Sequence, residues 1–538
     1  MIAERFCVVS TCVFLMALLG AASVLSALPA AAELETVTVG GQIRIRGNYW
    51  RNTFTRGDTP LLVRNEVRWP AAAVHGRPMG NLLGPDVRGH FDWDSDGADY
   101  KLVEQRTRLH VRANFTQDVA AFIEFEAFDA WGEDFRSNYV TGVDGRARSA
   151  DDVEVYQAHI EARDLFGVPL RLRAGRQEMV LGSGWLVGDN SAVLEPTGLS
   201  FDGLRLTYTH DLFTLDAIWA KLAENSPAEQ DGDIDLYAIY ATYHGIDWVA
   251  FDAYWILLRD ARQWQDTNDA LWAEWLEGLL GFDDYDVTNL NTVGLRVSGL
   301  RGGFDFEAEA AYQFGGASSV GVLFAPYTYG DDGADFDAWA AHAEIGYTFD
   351  FSCQPRVWLG AAYFKGEDKR DIGFWDWLNP LAPFAQPRAS ISFNRLFSNT
   401  VYSRFIDEMA ELSNFWTVRA GLSAHPTQSI ETGLDLAYLG VVDTFDQPLH
   451  IRFRNRRIIF PGLSFWTQKS DADIGVEADL WLRYCYSDDL SIEVGWSHFF
   501  TGDALEEGNF NDLNGLLFNG GTDDDDADYL YFEIVVRF

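Results

Sequence analysis

From residue 37 onward the chain repeats short runs in which apolar and polar side chains alternate. In one run Leu109, Val111 and Phe115 alternate with Arg108 and Arg112. A period of two residues is typical of a strand whose two faces meet different surroundings. Eighteen such runs are predicted to be strands, near 37–50, 100–115, 119–128, 153–163, 170–175, 202–210, 213–222, 235–244, 248–258, 287–299, 304–314, 337–349, 355–365, 415–425, 429–442, 471–486, 490–500 and 527–538.

The connections between these runs alternate between short and long. Short ones include 116–118 and 301–303, whereas long ones include 51–99 and 366–414. This asymmetry predicts an all-β fold, a transmembrane antiparallel up-and-down β-barrel of about 18 strands with long extracellular loops and short periplasmic turns. A soluble β-sandwich is the alternative, but it does not require long loops at one end only. The two longest loops, 51–99 and 366–414, are long enough to fold into or over the pore.

Aromatic residues near the strand ends are consistent with girdles at the two membrane interfaces. The predicted girdle residues are Trp248, Trp255, Tyr347, Trp496 and Tyr529. Together with the strand pattern, they predict the bacterial cell outer membrane as the location and outer-membrane lipid as a partner.

The first 32 residues have the pattern of a secretory signal. An apolar stretch from Phe6 to Leu19 is followed by small residues that end in Ala30-Ala31-Ala32, an A-x-A cleavage pattern. An uncleaved membrane anchor is the alternative interpretation. The predicted organisation is therefore a signal peptide at 1–32 and a single barrel domain at 33–538.

Composition narrows the possible partners. The 538 residues carry 81 Asp and Glu against 41 Lys and Arg, a formal charge of −40. A surface of this sign repels a polyanion, which excludes nucleic acid as a partner. The 47% hydrophobic and 14% aromatic content excludes a disordered chain.

The polar face of each strand predicts what lines the lumen. The early strands contribute Arg44, Arg46, Arg106, Arg108, Arg112, Arg171, Arg173 and Arg205. The later strands contribute Asp305, Glu307, Glu309, Glu344, Glu431, Asp435, Glu477, Asp479 and Glu493. Barrel closure opposes these two arcs, so an anionic solute is expected to follow the arginine arc. The alternative is that the charges pair with one another in a wet lumen.

One local motif resembles a known family. The segment from Gly175-Arg176-Gln177 through Gly182-Ser183-Gly184, followed by Phe201-Asp202-Gly203-Leu204-Arg205-Leu206, resembles the alginate-export family of outer-membrane porins. The resemblance implies an eighteen-strand monomeric barrel with a loop-gated, arginine-lined conduit for a polyuronate. It also implies periplasmic polysaccharide-secretion proteins as partners. By matching position it carries over the loop that borders the conduit, namely Arg176, Gln177, Gly182, Gly184, Asp202 and Arg205.

The sequence also contains candidate residues for metal binding and for hydrolysis. Asp92, Asp94 and Asp96 have the D-x-D-x-D-G spacing of a Ca²⁺ loop, but its twelfth position is Val103 and not a bidentate Glu, so a solvated acidic turn is the alternative. His110 and His159 face the predicted lumen near acids, which keeps a barrel hydrolase as a rival. No catalytic motif is present and no cofactor is required.

The expected function is an outer-membrane channel for an anionic polysaccharide or other small hydrophilic solutes. A general or substrate-selective uptake porin is the alternative within transport.

Overall fold

The computed structural model describes the barrel wall, several connections and two segments inside the barrel. The described residues are 33–52, 100–115, 118–131, 137–138, 143–144, 153–192, 197–224, 233–261, 287–316, 334–366, 389–407, 410–444, 447–448, 450–453, 456–459, 467–468, 470–507, 510–513, 516–518 and 526–538. The predicted signal at 1–32 lies outside them, as do Asp92, Asp94 and Asp96.

The wall consists of the eighteen strands that the alternating pattern predicts. They are β1 (Leu34–Arg51), β2 (Tyr100–Phe115), β3 (Val119–Ala130), β4 (Glu154–Ala162), β5 (Leu170–Gln177), β6 (Phe201–Thr209), β7 (Phe213–Ala223), β8 (Ile234–Ile246), β9 (Val249–Asp260), β10 (Thr288–Arg301), β11 (Phe304–Gly316), β12 (Ala334–Thr348), β13 (Arg356–Phe364), β14 (Phe415–Thr427), β15 (Ile430–Val441), β16 (Asp473–Cys485), β17 (Leu490–Thr501) and β18 (Ala527–Arg537). Predicted and observed ends differ by at most three residues.

Every wall strand pairs antiparallel with the strands before and after it, and β18 pairs with β1 from Gln42↔Arg537 to Arg51↔Asp528. The sheet is therefore closed and has no exposed edge, as a sheet in lipid must be because its backbone groups find no water there. The predicted fold class is confirmed.

The two faces of the wall differ in chemistry. Large apolar side chains such as Leu109, Ile123, Leu295 and Leu530 point outward and are 43%, 44%, 68% and 52% exposed. Their strand neighbours point inward, where charged and polar side chains are buried. An apolar outer band around a polar interior is the arrangement that a lipid-embedded barrel requires.

Short turns close one rim of the barrel, here called the short-turn rim. Between β10 and β11 the turn is Gly302-Gly303, with φ of 60° and 87°. A two-residue hairpin turn of this kind needs positive φ at both central positions, which glycine adopts without steric cost. The opposite rim, here called the long-loop rim, carries the long connections, as predicted.

Smaller elements accompany the wall. They are the paired short strands Ser137–Asn138 with Val143–Asp144, Gln447–Pro448 with Thr467–Gln468, His450–Phe453 with Arg456–Ile459, and Phe510–Leu513 with Leu516–Phe518, together with the strand Ala389–Ile391, the 3₁₀ turn Leu165–Gly167 and the helix Asp503–Glu507. In the part of the chain that the structure describes, no helix has the length and apolar character needed to cross a membrane.

Candidate conduit and its inward segments

Two stretches of chain fold into the barrel from the long-loop rim. The first inward segment is residues 178–192, directly after β5, and the second is residues 392–407 with 410–414, directly before β14. Their backbones join, because Phe397 N donates to Leu186 O and Gly188 N donates to Phe397 O, each at 2.9 Å. The prediction that loop 366–414 is long enough to enter the pore is thus met by its described part.

An apolar core fixes both segments against the wall, with Trp185 at its centre. Trp185 is fully buried, and its ring stacks on that of His342 with centroids 4.7 Å apart. The indole Nε1 donates to Tyr402 Oη at 3.1 Å, which links the two segments through side chains as well. Other buried members are Met179, Leu181, Phe364, Phe393, Phe405, Leu412 and Phe415.

Two glycines of the motif shape the first segment. Gly182 and Gly184 have φ of 59° and 81°, in the left-handed region that glycine tolerates best. A Cβ at Gly182 would lie 2.7 Å from Tyr240 Oη and 3.2 Å from Arg296 Cδ. The G-x-G spacing therefore has a structural reason, since it lets the backbone approach the wall closely.

The second segment is held by buried polar contacts. Glu477 on β16 accepts from Ser403 Oγ at 2.5 Å and from Arg404 N at 2.8 Å. Within the segment Asp407 accepts from Arg395 Nη1 at 2.7 Å and from Tyr402 N at 2.8 Å. These contacts satisfy carboxylates that would otherwise be buried at high cost.

Four of the predicted conduit residues form one group, here called the basic cluster: Arg44, Arg46, Arg106 and Arg108. Arg44 and Arg106 face each other directly across β1 and β2. The Arg44 guanidinium also donates to Ser191 O of the first inward segment at 3.4 Å. The cluster thus lies between the wall and the first inward segment. If the inward segments fill the opposite side of the lumen, a conduit passes along this cluster.

Two arginines of the basic cluster contact carboxylates, and a third donates to an amide oxygen. Arg44 Nε donates to Glu533 at 2.5 Å, and Arg108 contacts Glu126 at 2.5 Å and Glu178 at 3.3 Å. Arg106 donates to Gln42 Oε1 at 2.8 Å.

Arg46 has aromatic partners. It donates to Tyr529 Oη at 3.2 Å and lies over the Tyr531 ring, 5.2 Å from its centroid. Tyr529 therefore faces the lumen, and its predicted place in an interfacial girdle is wrong. Its parity along β18, opposite to the outward Leu530 and Phe532, is the signal that identifies this.

The remaining lumen arginines are held in ion pairs or by a hydroxyl. Arg112 and Arg173 converge on Glu161, at 3.4 and 2.9 Å, and Arg205 Nε contacts Asp216 at 2.9 Å.

Arg171 donates to Thr207 Oγ1 at 3.3 Å. For Arg112, Arg173 and Arg205 the alternative of mutual charge pairing describes the geometry, and it also describes Arg44 and Arg108 of the basic cluster.

Arg176 and Asp202 lie on the outside of the wall. They face each other across β5 and β6 in the same register as the outward pair Leu172 and Leu206, and they are joined at 2.9 Å with side chains 44% and 55% exposed. The prediction that both border the conduit is corrected, because each has the parity of the outer face. Gln177, one residue on, points inward and is fully buried.

Other inward charged residues were not singled out from the sequence. Arg404 lies over the Tyr531 ring, 5.4 Å from its centroid, as Arg46 does at 5.2 Å, and Arg419 lies over the Trp358 ring at 4.9 Å. Arg296 on β10 contacts three carboxylates. Strand parity could have found Arg296 and Arg419, whereas Arg404 lies in a segment without periodicity.

The histidines considered for hydrolysis have other partners. His110 Nδ1 lies 3.9 Å from Glu124, and His159 Nδ1 lies 3.4 Å from Arg176 O. Among the described residues, neither imidazole has a hydrogen bond to a Ser, Thr or Cys side chain that could act as a nucleophile.

A family model described as Alginate export matches residues 92–517. No curated protein sequence matches the chain significantly. The fold is similar to that of Pseudomonas aeruginosa OccK8 (OprE), at 11% identity and a TM-score of 0.46, with 93% of this chain and 98% of that chain covered. For OccD3 (OpdP) of the same organism the values are 12%, 0.45, 95% and 93%.

Proposed function

The chain belongs to the alginate export family, and we propose that it carries an anionic polysaccharide of the polyuronate class along the basic cluster. The protein is an outer-membrane channel, and its family points to a channel rather than an enzyme. The observation that carries the proposal of a polyuronate is the concentration of four arginines on two adjacent strands beside the first inward segment, namely Arg44, Arg46, Arg106 and Arg108.

The chemistry of this cluster suits a polyuronate. A guanidinium presents a planar fork that matches a carboxylate, and it stays charged at any physiological pH. Arg44 and Arg108 already hold carboxylates of the wall, Glu533 and Glu126. A uronate passing through replaces one such contact with another of the same kind, so binding is favourable but exchange is easy. Conduction needs this balance.

The aromatic neighbours of the cluster add to this interpretation. Both Arg46 and Arg404 lie over the Tyr531 ring, and Tyr529 stacks on Trp50 with centroids 4.5 Å apart. Amphipathic rings beside guanidinium groups present both an apolar face and a polar edge. A sugar ring has the complementary faces.

The test is single-channel recording of the purified barrel in planar bilayers. Anion selectivity is expected, with concentration-dependent block by an oligouronate. A neutral oligosaccharide of equal length is the matched control and should block much less, because it lacks the carboxylates. Cation selectivity without uronate block would contradict the proposal.

A second candidate is a general or substrate-selective uptake porin. The pairing of Arg112, Arg173 and Arg205 with wall carboxylates favours an uptake porin, because these ion pairs leave less net positive charge in the part of the lumen beside β2, β5 and β6. Liposome swelling separates the two. Fast entry of neutral monosaccharides, with no competition from an oligouronate, would favour uptake.

A further inference from the structure

A second group of charged side chains lies on the opposite arc of the wall, outside the proposed conduit. This acidic cluster consists of Asp252 on β9, Arg296 on β10, Glu307 and Glu309 on β11, and His342 on β12. Arg296 contacts Asp252 at 2.7 Å and Glu307 Oε2 at 2.5 Å. Three carboxylates against one guanidinium leave a formal charge of −2, in a place where the first inward segment covers the wall.

Three donor atoms of the cluster converge on one point. His342 Nε2 lies 3.6 Å from Glu307 Oε1 and 3.8 Å from Glu309 Oε2, and the three ligand atoms all lie within 4.8 Å of one another. The Glu309 side chain is only 5% exposed. Within the described residues, neither Glu309 Oε2 nor His342 Nε2 has a hydrogen-bond partner. A buried polar atom without a partner is costly, so these two atoms point to a missing ligand.

The other oxygens of the same carboxylates are already held. Glu307 Oε2 accepts from Arg296, and Glu309 Oε1 accepts from Tyr254 Oη at 2.7 Å. Metal sites are built in this way, since outer partners orient each ligand and leave the inner atom free to coordinate.

We propose that Glu307, Glu309 and His342 bind a divalent transition-metal ion of the Zn²⁺ type. An imidazole with two carboxylates is a donor set that suits Zn²⁺, whereas Ca²⁺ and Mg²⁺ prefer oxygen ligands alone. Ligand distances of about 2.0–2.2 Å put neighbouring donor atoms about 3–4 Å apart, so the observed separations need little adjustment. The ion neutralises the formal charge of −2, and water completes its coordination.

The site also fixes the first inward segment. The His342 ring stacks on Trp185, and the Ser183 side chain lies next to Glu307. Coordination holds the imidazole in one orientation, and with it the indole that lies on it. The metal therefore braces the segment that narrows the lumen, without itself lining the basic cluster.

The experiment is calorimetric titration of the chelator-stripped barrel in detergent with Zn²⁺. The wild type is expected to show a site that His342→Ala and Glu309→Gln each weaken at least tenfold. His110→Ala is the matched control, because it removes a lumen imidazole that has a single carboxylate neighbour, Glu124, and it should bind as the wild type does. Equal binding by His342→Ala and the wild type would overturn the proposal.

A second measurement is independent of whether the variants fold. Anomalous diffraction at the zinc edge from crystals of the wild type should place an ion between the three donor atoms. Density only at acidic residues of the long-loop rim would overturn the assignment. Before titration, a shift in gel migration between unheated and heated samples confirms that each variant is a closed barrel.

Discussion

The basic and acidic clusters are built by the same rule and have opposite sign. In the basic cluster two guanidinium groups, Arg44 and Arg106, face each other across a strand pair. In the acidic cluster one guanidinium, Arg296, is shared by Asp252, Glu307 and Glu309. Both use inward positions of adjacent antiparallel strands, where cross-strand neighbours are close enough to interact strongly.

The difference shows that the net charge of −40 does not set the local potential that a solute meets in the lumen. The sign of the potential at a point in the lumen depends on the few groups within about one Debye length, roughly 8 Å at physiological salt. The acidic cluster contacts the first inward segment at Gly182 and Trp185, whereas the basic cluster contacts that segment at Ser191. A solute therefore meets arginine inside a strongly acidic protein.

The largest effect is expected when the basic cluster is made acidic. Arg106→Glu with Arg108→Glu should reverse the anion preference, because each unit charge 5 Å from a solute ion is worth about 3 kcal/mol at an effective dielectric constant of 20. The ratio of anion to cation permeability should fall on the order of tenfold or more. Reversal potentials under a salt gradient measure it.

The outer face provides the control for this double variant. Arg176→Glu makes the same kind of charge reversal, at one residue, on the lipid side of the wall next to Asp202. Its reversal potential should match that of the wild type. If Arg176→Glu shifts selectivity as much as the lumen variant, the filter is not at the basic cluster.

The next effect concerns the core that covers the acidic cluster. Trp185→Ala removes the ring between His342, Phe393 and Phe364, and a buried Trp→Ala change costs about 3–5 kcal/mol. The first inward segment should loosen, which raises conductance and current noise. Trp339→Ala is the control, because Trp339 is 46% exposed on the outer face. Unchanged conductance in Trp185→Ala would mean that the segment does not limit flow.

Much of the wall could be predicted because a strand in lipid obeys a single rule. Alternation of side chains located all eighteen strands and assigned Arg44, Arg46, Arg106 and Arg108 to the lumen. The same parity, applied through to the strand end, would have put Arg176 and Asp202 outside and Tyr529 inside. The motif alone places Arg176 and Asp202 beside the conduit, and a position near a strand end places Tyr529 in the girdle, and neither criterion takes account of the period.

The inward segments could not be predicted in the same way. Trp185, Arg395 and Asp407 lie in stretches without periodicity, and the two segments meet through contacts such as that of Trp185 with Tyr402, 217 residues apart. Local propensity does not encode such pairings. The motif glycines indicated a turn, but only the close approach of Gly182 to Tyr240 and Arg296 shows why the turn is needed.

A smaller effect tests that close approach. Gly182→Ala should destabilise the barrel because alanine at positive φ costs about 1–2 kcal/mol and its Cβ would meet Tyr240 Oη. Gly167→Ala is the matched control, since its φ is 72° but no atom lies within 4 Å of the added Cβ. Thermal unfolding followed by gel migration should give a lower unfolding temperature for Gly182→Ala than for Gly167→Ala. Equal losses would show that backbone strain alone matters.

The smallest effect returns to the basic cluster and its dependence on pH. Burial raises the pKa of the Glu178 carboxyl above its ordinary range, and this group contacts Arg108 at 3.3 Å. As the pH falls through that pKa, Glu178 becomes neutral and compensates Arg108 less, so the anion preference should increase, by roughly twofold.

Glu178→Gln fixes the neutral form at every pH. Its selectivity should therefore stay, at every pH, at the value that the wild type reaches in acid. Asp202→Asn removes a carboxylate from the outer face and should keep the wild-type pH profile. If Glu178→Gln still follows the wild-type profile, another carboxylate of the lumen controls the charge that a solute meets at Arg108.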